Sequence, residues 1–215
     1  MKSLAELTYD AGMMPILFAN ETCYIPSIIS ALEQTEIPAV EILQRGNGAK
    51  EALKEAVRFR KTAYVGAGTV CSLDQGKEMV DLGADFLVSP GFNPELVEWC
   101  VKNDVLIIPG VSSVTEIMMA QNAGLKLLKV FPFNELGGES FVNAISGPFS
   151  DVKFVITGSL DERDLHHVSN KKIAAIGGVW MFQSEEDKTV ISEEKIIHRI
   201  NTSLSIAKLY RNGWQ

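Results

Sequence analysis

The chain has 215 residues, of which 46% are hydrophobic and 22% charged, and its 20 basic and 27 acidic side chains give a net charge of −7 at pH 7. This length fits one domain, residues 1–215, and the acidic balance without a Lys/Arg cluster argues against nucleic-acid binding. Glu6 and Asp10 interrupt the N-terminal stretch that a secretory signal would need, and no apolar run approaches the roughly 18 residues of a membrane span, so we expect a cytoplasmic protein that does not bind membranes.

The cysteines indicate a reducing compartment. Cys23, Cys71 and Cys100 are widely spaced and odd in number, which favours free thiols over a disulfide framework. Because free cysteine is among the most buried residue types, we expect each of the three in the core.

Short apolar runs rich in β-branched and aromatic residues recur along the chain. Their starts are 19 to 26 residues apart, which leaves room for one helix and two loops between neighbours. The runs are continuous rather than alternating, which is typical of parallel strands buried on both faces. The eight predicted strands are Met13 to Phe18, Ala39 to Leu43, Ala63 to Val70, Phe86 to Pro90, Val105 to Val111, Leu127 to Pro132, Lys153 to Thr157 and Ile173 to Trp180.

The segments between these strands carry helix signals. Asn93 and Pro94 supply an N-cap and a proline at the first helical position, and Ser72 begins a segment whose apolar positions end at Gly83. Further helices are predicted over Ala49 to Arg60, Val114 to Asn122 and Glu193 to Leu209.

Eight strands alternating with eight helical segments predict an α/β protein that is a single (β/α)8 TIM barrel. An open doubly wound sheet is the alternative. The barrel is favoured because the strand count is eight and no Gly-x-Gly-x-x-Gly turn follows a strand. Active sites of such barrels lie at the C-terminal ends of the strands, so polar residues there are the candidate site residues.

Lys129 is the most unusual residue at a predicted strand end. It lies inside the apolar run from Leu127 to Phe131, where an unpaired ammonium is costly and burial favours the neutral amine. A neutral amine is the nucleophile that forms a Schiff base with a ketone. The alternative is a strand-end lysine that reaches solvent, a role that suits Lys126 better.

Glu41 is the second unusual residue, because it interrupts the apolar strand from Val40 to Leu43. A carboxylate in such surroundings suits acid/base catalysis. The alternative is a structural ion pair with Arg45. Thr69 and Thr157 are weaker candidates, since threonine is common in strands.

Glycine-rich turns are also predicted at the ends of the last two strands, where barrels commonly hold phosphate on backbone N–H groups. They contain Gly158 and Ser159 in one turn and Gly177 and Gly178 in the other.

Other chemistries have little support in the sequence. His166 and His167 are adjacent and so face apart on a helix, and His198 lies on the C-terminal helix. No metal-ligand spacing is present, and no predicted strand-end histidine is available to activate Cys71. We therefore expect neither a metal nor another cofactor.

Seven segments together resemble the KHG/KDPG aldolases, which are class I aldolases that cleave 2-keto-3-deoxy-6-phosphogluconate or 4-hydroxy-2-ketoglutarate. The resemblance covers nearly the whole chain in the same order and spacing. The segments are Val65 to Val70, Phe86 to Gly91, Ile108 to Val111, Leu128 to Pro132, Gly137 to Gly138, Ile145 to Phe149 and Lys153 to Gly158.

The resemblance implies a homotrimer of barrels that acts on a small keto acid. It places the Schiff-base lysine at Lys129 and the acid/base glutamate at Glu41. The lysine would attack the C2 ketone, the imine would accept the electrons of the breaking C3–C4 bond, and the glutamate would move protons through water before pyruvate leaves. The implied substrate and phosphate contacts are Arg45, Thr69, Pro90, Phe131, Thr157, Gly158, Ser159, Gly177 and Gly178.

Four positions depart from the family pattern. Ser159 replaces the second glycine of a Thr-Gly-Gly turn, and Val179 replaces the serine of a Gly-Gly-Ser segment. Phe18 stands where many members carry arginine, and Gly46 where some have threonine. The first two changes predict weaker phosphate binding, and hence a preference for a substrate other than 2-keto-3-deoxy-6-phosphogluconate.

Two other functions remain open at this stage. The first is a non-catalytic barrel that binds a keto acid or sugar phosphate, which the presence of both Lys129 and Glu41 disfavours. The second is a phosphosugar epimerase, which the lack of metal-ligand histidines on strands disfavours.

Overall fold

A computed structural model describes residues 4–18, 22–37, 39–183 and 190–213 of the chain. Short 3₁₀ helices span Thr22–Tyr24 and Glu162–Ser169. The strands are β1 (Met13–Leu17), β2 (Ala39–Leu43), β3 (Tyr64–Gly68), β4 (Phe86–Val88), β5 (Leu106–Ile108), β6 (Gly110–Val111), β7 (Leu127–Val130), β8 (Lys153–Ile156) and β9 (Ile173–Gly178). The helices are α1 (Leu4–Ala11), α2 (Ile25–Glu33), α3 (Ala49–Phe59), α4 (Leu73–Asp81), α5 (Pro94–Lys102), α6 (Val114–Asn122), α7 (Glu139–Ile145) and α8 (Glu193–Asn212).

The strands form one parallel sheet in the order β5-β4-β3-β2-β1-β9-β8-β7-β6. Its two end strands, β5 and β6, are separated along the chain only by Pro109, so the sheet returns on itself as a barrel. The predicted α/β barrel is thereby confirmed, and the open sheet is excluded.

The expected strand count of eight is wrong by one, because Pro109 divides the fifth run. Proline has no N–H to donate to a ladder, and the chain changes partner there: β5 pairs with β4, whereas β6 pairs with β7. The Pro109 carbonyl still accepts a hydrogen bond from the Lys129 N–H, at 2.9 Å, which ties the divided strand to β7.

The strands are buried almost throughout, as continuous apolar runs predict. Helices cover them with one apolar face: in α3, Ala52, Leu53 and Ala56 are buried while Glu51 is exposed. The segment after β8 is a 3₁₀ helix, begun by a capping box between Asp161 and Asp164.

The expectation that all three cysteines lie in the core holds only for Cys100, whose thiol pKa burial raises to about 11. Cys23 and Cys71 are exposed, because each lies outside the strands and helices that form the core.

In the described residues, no helix is both long and apolar enough to cross a membrane. The assignment of residues 1–215 to a single domain stays a prediction.

Candidate active site

Lys129 and Glu41 meet inside the barrel. Lys129 is the third residue of β7 and Glu41 the third of β2, and Lys129 Nζ lies 3.5 Å from Glu41 Oε1. Their side chains are only 7% and 1% exposed, respectively. The alternative of a strand-end lysine that reaches solvent is therefore wrong for Lys129; Lys126, with a side chain 72% exposed, fits that description.

The Glu41 carboxylate occupies space that Gly68 leaves open. Gly68 ends β3, and a Cβ built on it would lie 2.6 Å from Glu41 Cγ and closer still to Oε1. Within the described part of the chain neither Glu41 oxygen accepts a hydrogen bond, although both are buried. A buried carboxylate with only an ion pair to Lys129 retains acceptor capacity for water or substrate.

Arg45 pairs with Thr69 and not with Glu41, contrary to the structural alternative for Glu41. Arg45 Nε donates to Thr69 Oγ1 at 2.9 Å. Thr69 has φ +61°, a left-handed conformation that is unfavourable for a β-branched residue. Such strain is often found at functional sites, and here it places the Thr69 hydroxyl within reach of the guanidinium.

A cavity of about 420 Å³ opens above Lys129 at the C-terminal ends of the strands. The Phe131 ring is one of its walls, with its centroid 5.6 Å from Lys129 Nζ. The predicted site residues that line it are Arg45, Lys129, Phe131, Thr157, Gly158, Ser159, Gly177 and Gly178. Lining residues that the sequence reasoning missed are Ile16, Leu43, Pro132, Glu135 and Leu160.

Thr69 does not itself line this cavity but is joined to it by its hydrogen bond to Arg45. Pro90 lies elsewhere. It lines a second cavity, together with Cys71 and Glu116, and is not among the residues around Lys129. A substrate-binding role for Pro90 stays a prediction without support from the cavity geometry.

Thr157 presents a second unpartnered polar atom to the site. It directly follows β8 and is 3% exposed. Its Oγ1 is buried and has no hydrogen-bond partner among the residues described. Gly177 makes room for this side chain, since a Cβ there would lie 2.6 Å from Thr157 Cγ2.

The two predicted glycine-rich turns differ in structure. Gly158 and Ser159 do form a turn, with φ of +126° and +53°. Gly177 and Gly178 are instead the last two residues of β9 and are buried, so the prediction of a turn there is wrong. The strand continues through both glycines. Because they lack a side chain, Thr157 can pack closely against Gly177 and Trp180 against Gly178.

No group of three or more His, Cys, Asp or Glu residues in the described ranges has the geometry to hold a metal ion. The polar atoms that do converge are an amine, a carboxylate, a guanidinium and two threonine hydroxyls. Together they define a barrel enzyme whose buried lysine and carboxylate are placed to form an imine with a carbonyl compound and to move its protons.

The chain belongs to the KDPG and KHG aldolase family, whose model matches residues 5–196. It is 37% identical over 186 residues to the 2-dehydro-3-deoxy-phosphogluconate aldolase of Treponema pallidum (strain Nichols), covering 86% of this chain and 89% of that one. It is 31% identical to the KHG/KDPG aldolase of Escherichia coli (strain K12), covering 86% and 87%.

A solved structure supports the same assignment. The KDPG aldolase of Legionella pneumophila, with pyruvate captured as a covalent carbinolamine, superposes with a TM-score of 0.79 at 29% identity and covers 98% of each chain. The predicted family and the predicted carbon–carbon lyase class are therefore confirmed.

Proposed function

We propose that this protein cleaves a 2-keto-3-deoxy sugar acid or 4-hydroxy-2-ketoglutarate to pyruvate and an aldehyde through a Schiff base on Lys129. The observation that carries the proposal is the buried Lys129–Glu41 pair, 3.5 Å apart at the floor of a cavity. A keto-acid-binding barrel without catalysis would not need an amine and an unsatisfied carboxylate in contact.

The reaction follows from these two groups. The Lys129 amine adds to C2 of the substrate, and loss of the C2 oxygen as water gives a protonated imine. The electrons of the C3–C4 bond then move into the imine to form an enamine, while the C4 hydroxyl gives its proton, through water, to Glu41. The aldehyde leaves, the enamine takes a proton at C3, and hydrolysis releases pyruvate and the free amine.

Arg45, Thr69 and Thr157 bind the substrate carboxylate in this proposal. One support is the hydrogen bond between Arg45 and Thr69, which fixes the orientation of the guanidinium and the hydroxyl. The other is the Thr157 hydroxyl at the same cavity, which has no hydrogen-bond partner among the described residues. Phe131 supplies an apolar wall. Four further residues that line the cavity would contact the remainder of the substrate: Gly158, Ser159, Gly177 and Gly178.

The test is pyruvate release from a panel of 2-keto-3-deoxy acids, each with and without a terminal phosphate, and from 4-hydroxy-2-ketoglutarate. EDTA is included in every assay to inhibit any contaminating metal-dependent aldolase. We expect pyruvate from at least one acid, with 2-keto-3-deoxy-6-phosphogluconate a poor substrate, because Ser159 and Val179 replace phosphate contacts of the family. Release from none of them would contradict the proposed function.

We further propose that the chain assembles as a homotrimer in the cytoplasm. An apolar groove of about 480 Å³ between α5 and α6, lined by Val101 and Met119, supports assembly. Val114 and Met118 on α6 are also about half exposed, at 50% and 51%. Exposed apolar surface of this kind is typical of a subunit interface. Sedimentation equilibrium is expected to give three times the chain mass, and a monomer would contradict the assembly.

A further inference from the structure

The proposed reaction assigns no role to Glu135, an acidic residue that lines the cavity. It lies in the loop after β7 and is exposed, at the mouth of the cavity. Backbone hydrogen bonds hold this loop: the Leu136 N–H donates to the Pro132 carbonyl at 3.2 Å, and the Gly138 N–H to the Phe133 carbonyl at 2.9 Å. The carboxylate is therefore presented from a structured turn.

In the proposed reaction, the two cations that line the cavity among the described residues act at the keto-acid end of the substrate. Lys129 pairs with Glu41, and Arg45 donates to Thr69. Within the described ranges no other Lys or Arg lines this cavity, and none forms an ion pair with Glu135.

In the part of the chain that the structure describes, the remaining wall carries no further cationic side chain to offset a second negative charge. Ser159 contributes one hydroxyl, and the partly exposed Val179 contributes an apolar side chain. A dianionic group that enters beyond the imine carbon would meet the Glu135 carboxylate without a cation of its own. Like charges brought together at the mouth of the cavity repel, and this repulsion discriminates between ligands although solvent weakens it.

We propose that Glu135 is a specificity-determining residue that selects a substrate with a neutral, hydroxyl-bearing tail over one that ends in phosphate. A carboxylate accepts hydrogen bonds from sugar hydroxyls and repels a dianion, so a single group both attracts one substrate class and rejects the other. The inference rests on the proposed aldolase function and deepens it by naming the substrate class.

The experiment compares kcat/KM for 2-keto-3-deoxygluconate and 2-keto-3-deoxy-6-phosphogluconate in the wild type, in Glu135→Gln and in Glu194→Gln. Glu194 is an exposed residue of α8 that does not line the cavity, so its variant matches the change in net charge. We expect the wild type to prefer the unphosphorylated acid. Glu135→Gln should shift the ratio toward the phosphorylated acid by about 10-fold, and Glu194→Gln should not shift it.

Two further measurements complete the experiment: the dependence of the kcat/KM ratio on ionic strength, and trapping of the imine. At about 1 M ionic strength, charges are screened within about 3 Å. The wild-type ratio of kcat/KM for the two acids should then approach the ratio of Glu135→Gln. A wild type that prefers the phosphorylated acid, or a ratio that Glu135→Gln leaves unchanged, would overturn the role of Glu135. Borohydride trapping of pyruvate distinguishes a failure of the Glu135 proposal from a failure of the proposed function. If pyruvate is trapped but the kcat/KM ratio is unchanged, only the role of Glu135 is rejected. If no pyruvate is trapped, the Schiff-base function itself is rejected.

Discussion

Borohydride added in the presence of pyruvate is expected to attach one pyruvate unit to each chain, at Lys129, and Lys129→Arg is expected to abolish both this adduct and substrate cleavage. Lys129 Nζ is buried at the floor of the cavity, within 5.6 Å of the Phe131 ring centroid and 3.5 Å from Glu41. Arginine keeps the positive charge beside Glu41 but cannot form the imine, so activity should fall to background. Intact-mass and peptide mass spectrometry locate the adduct, and a pyruvate assay measures cleavage.

Lys126→Arg is the matched control for this variant. Lys126 lies three residues earlier in the chain and is largely exposed, so its replacement should leave both trapping and turnover near wild-type values. Circular dichroism and a thermal melt establish whether Lys129→Arg remains folded. An adduct on any other lysine, or a folded Lys129→Arg protein that still cleaves substrate, would show that the nucleophile is misassigned.

Glu41→Gln is expected to lower kcat and the exchange of pyruvate C3 protons with solvent by roughly 10²- to 10⁴-fold, the usual contribution of a general acid/base. The amide has almost the same shape as the carboxylate but cannot take up the proton. Imine formation on Lys129 should still be detectable by trapping. Proton exchange is measured by NMR in D₂O, and a rate equal to that of the wild type would assign proton transfer to another group.

Gly68→Ala tests the same carboxylate without removing it. The added methyl group would overlap the Glu41 carboxylate, so the carboxylate must leave its position beside Lys129, and turnover should drop although both groups are present. Gly147→Ala adds an equal methyl group where nothing lies within 4 Å, and should leave turnover unchanged. Equal activities of the two variants would mean that the position of Glu41 is not critical.

Lys129 and Glu41 were predictable because each is a charged residue inside an apolar strand, a placement that costs free energy unless the two groups pair or react. Their mutual contact was not predictable from local pattern, since it joins β2 to β7 across the barrel. Glu135 carries no such signal, because an acidic residue in a polar loop is ordinary and only the folded cavity shows what it faces.

Backbone conformation limited the remaining predictions. The left-handed φ of Thr69 is set by tertiary packing rather than by local sequence. The predicted strand Ile173 to Trp180 already contained Gly177 and Gly178, and only their interpretation as a turn was wrong. The division of the fifth strand did have a sequence signal, the proline at position 109, because proline is rarely accommodated inside a central strand.

At Pro109 the barrel is closed by the polypeptide chain itself and not by pairing of two strands. Elsewhere around the ring, neighbouring strands are held by backbone hydrogen bonds, but β5 and β6 are joined through a single residue of the chain. New chain termini placed at Pro109 in a circular permutant would therefore convert the ring into an open sheet with two unpaired edges, which invite edge-to-edge aggregation. Termini placed in the loops that lead into the outer helices would leave the ring closed, so those loops, and not the fifth strand, are where the chain tolerates being cut and rejoined.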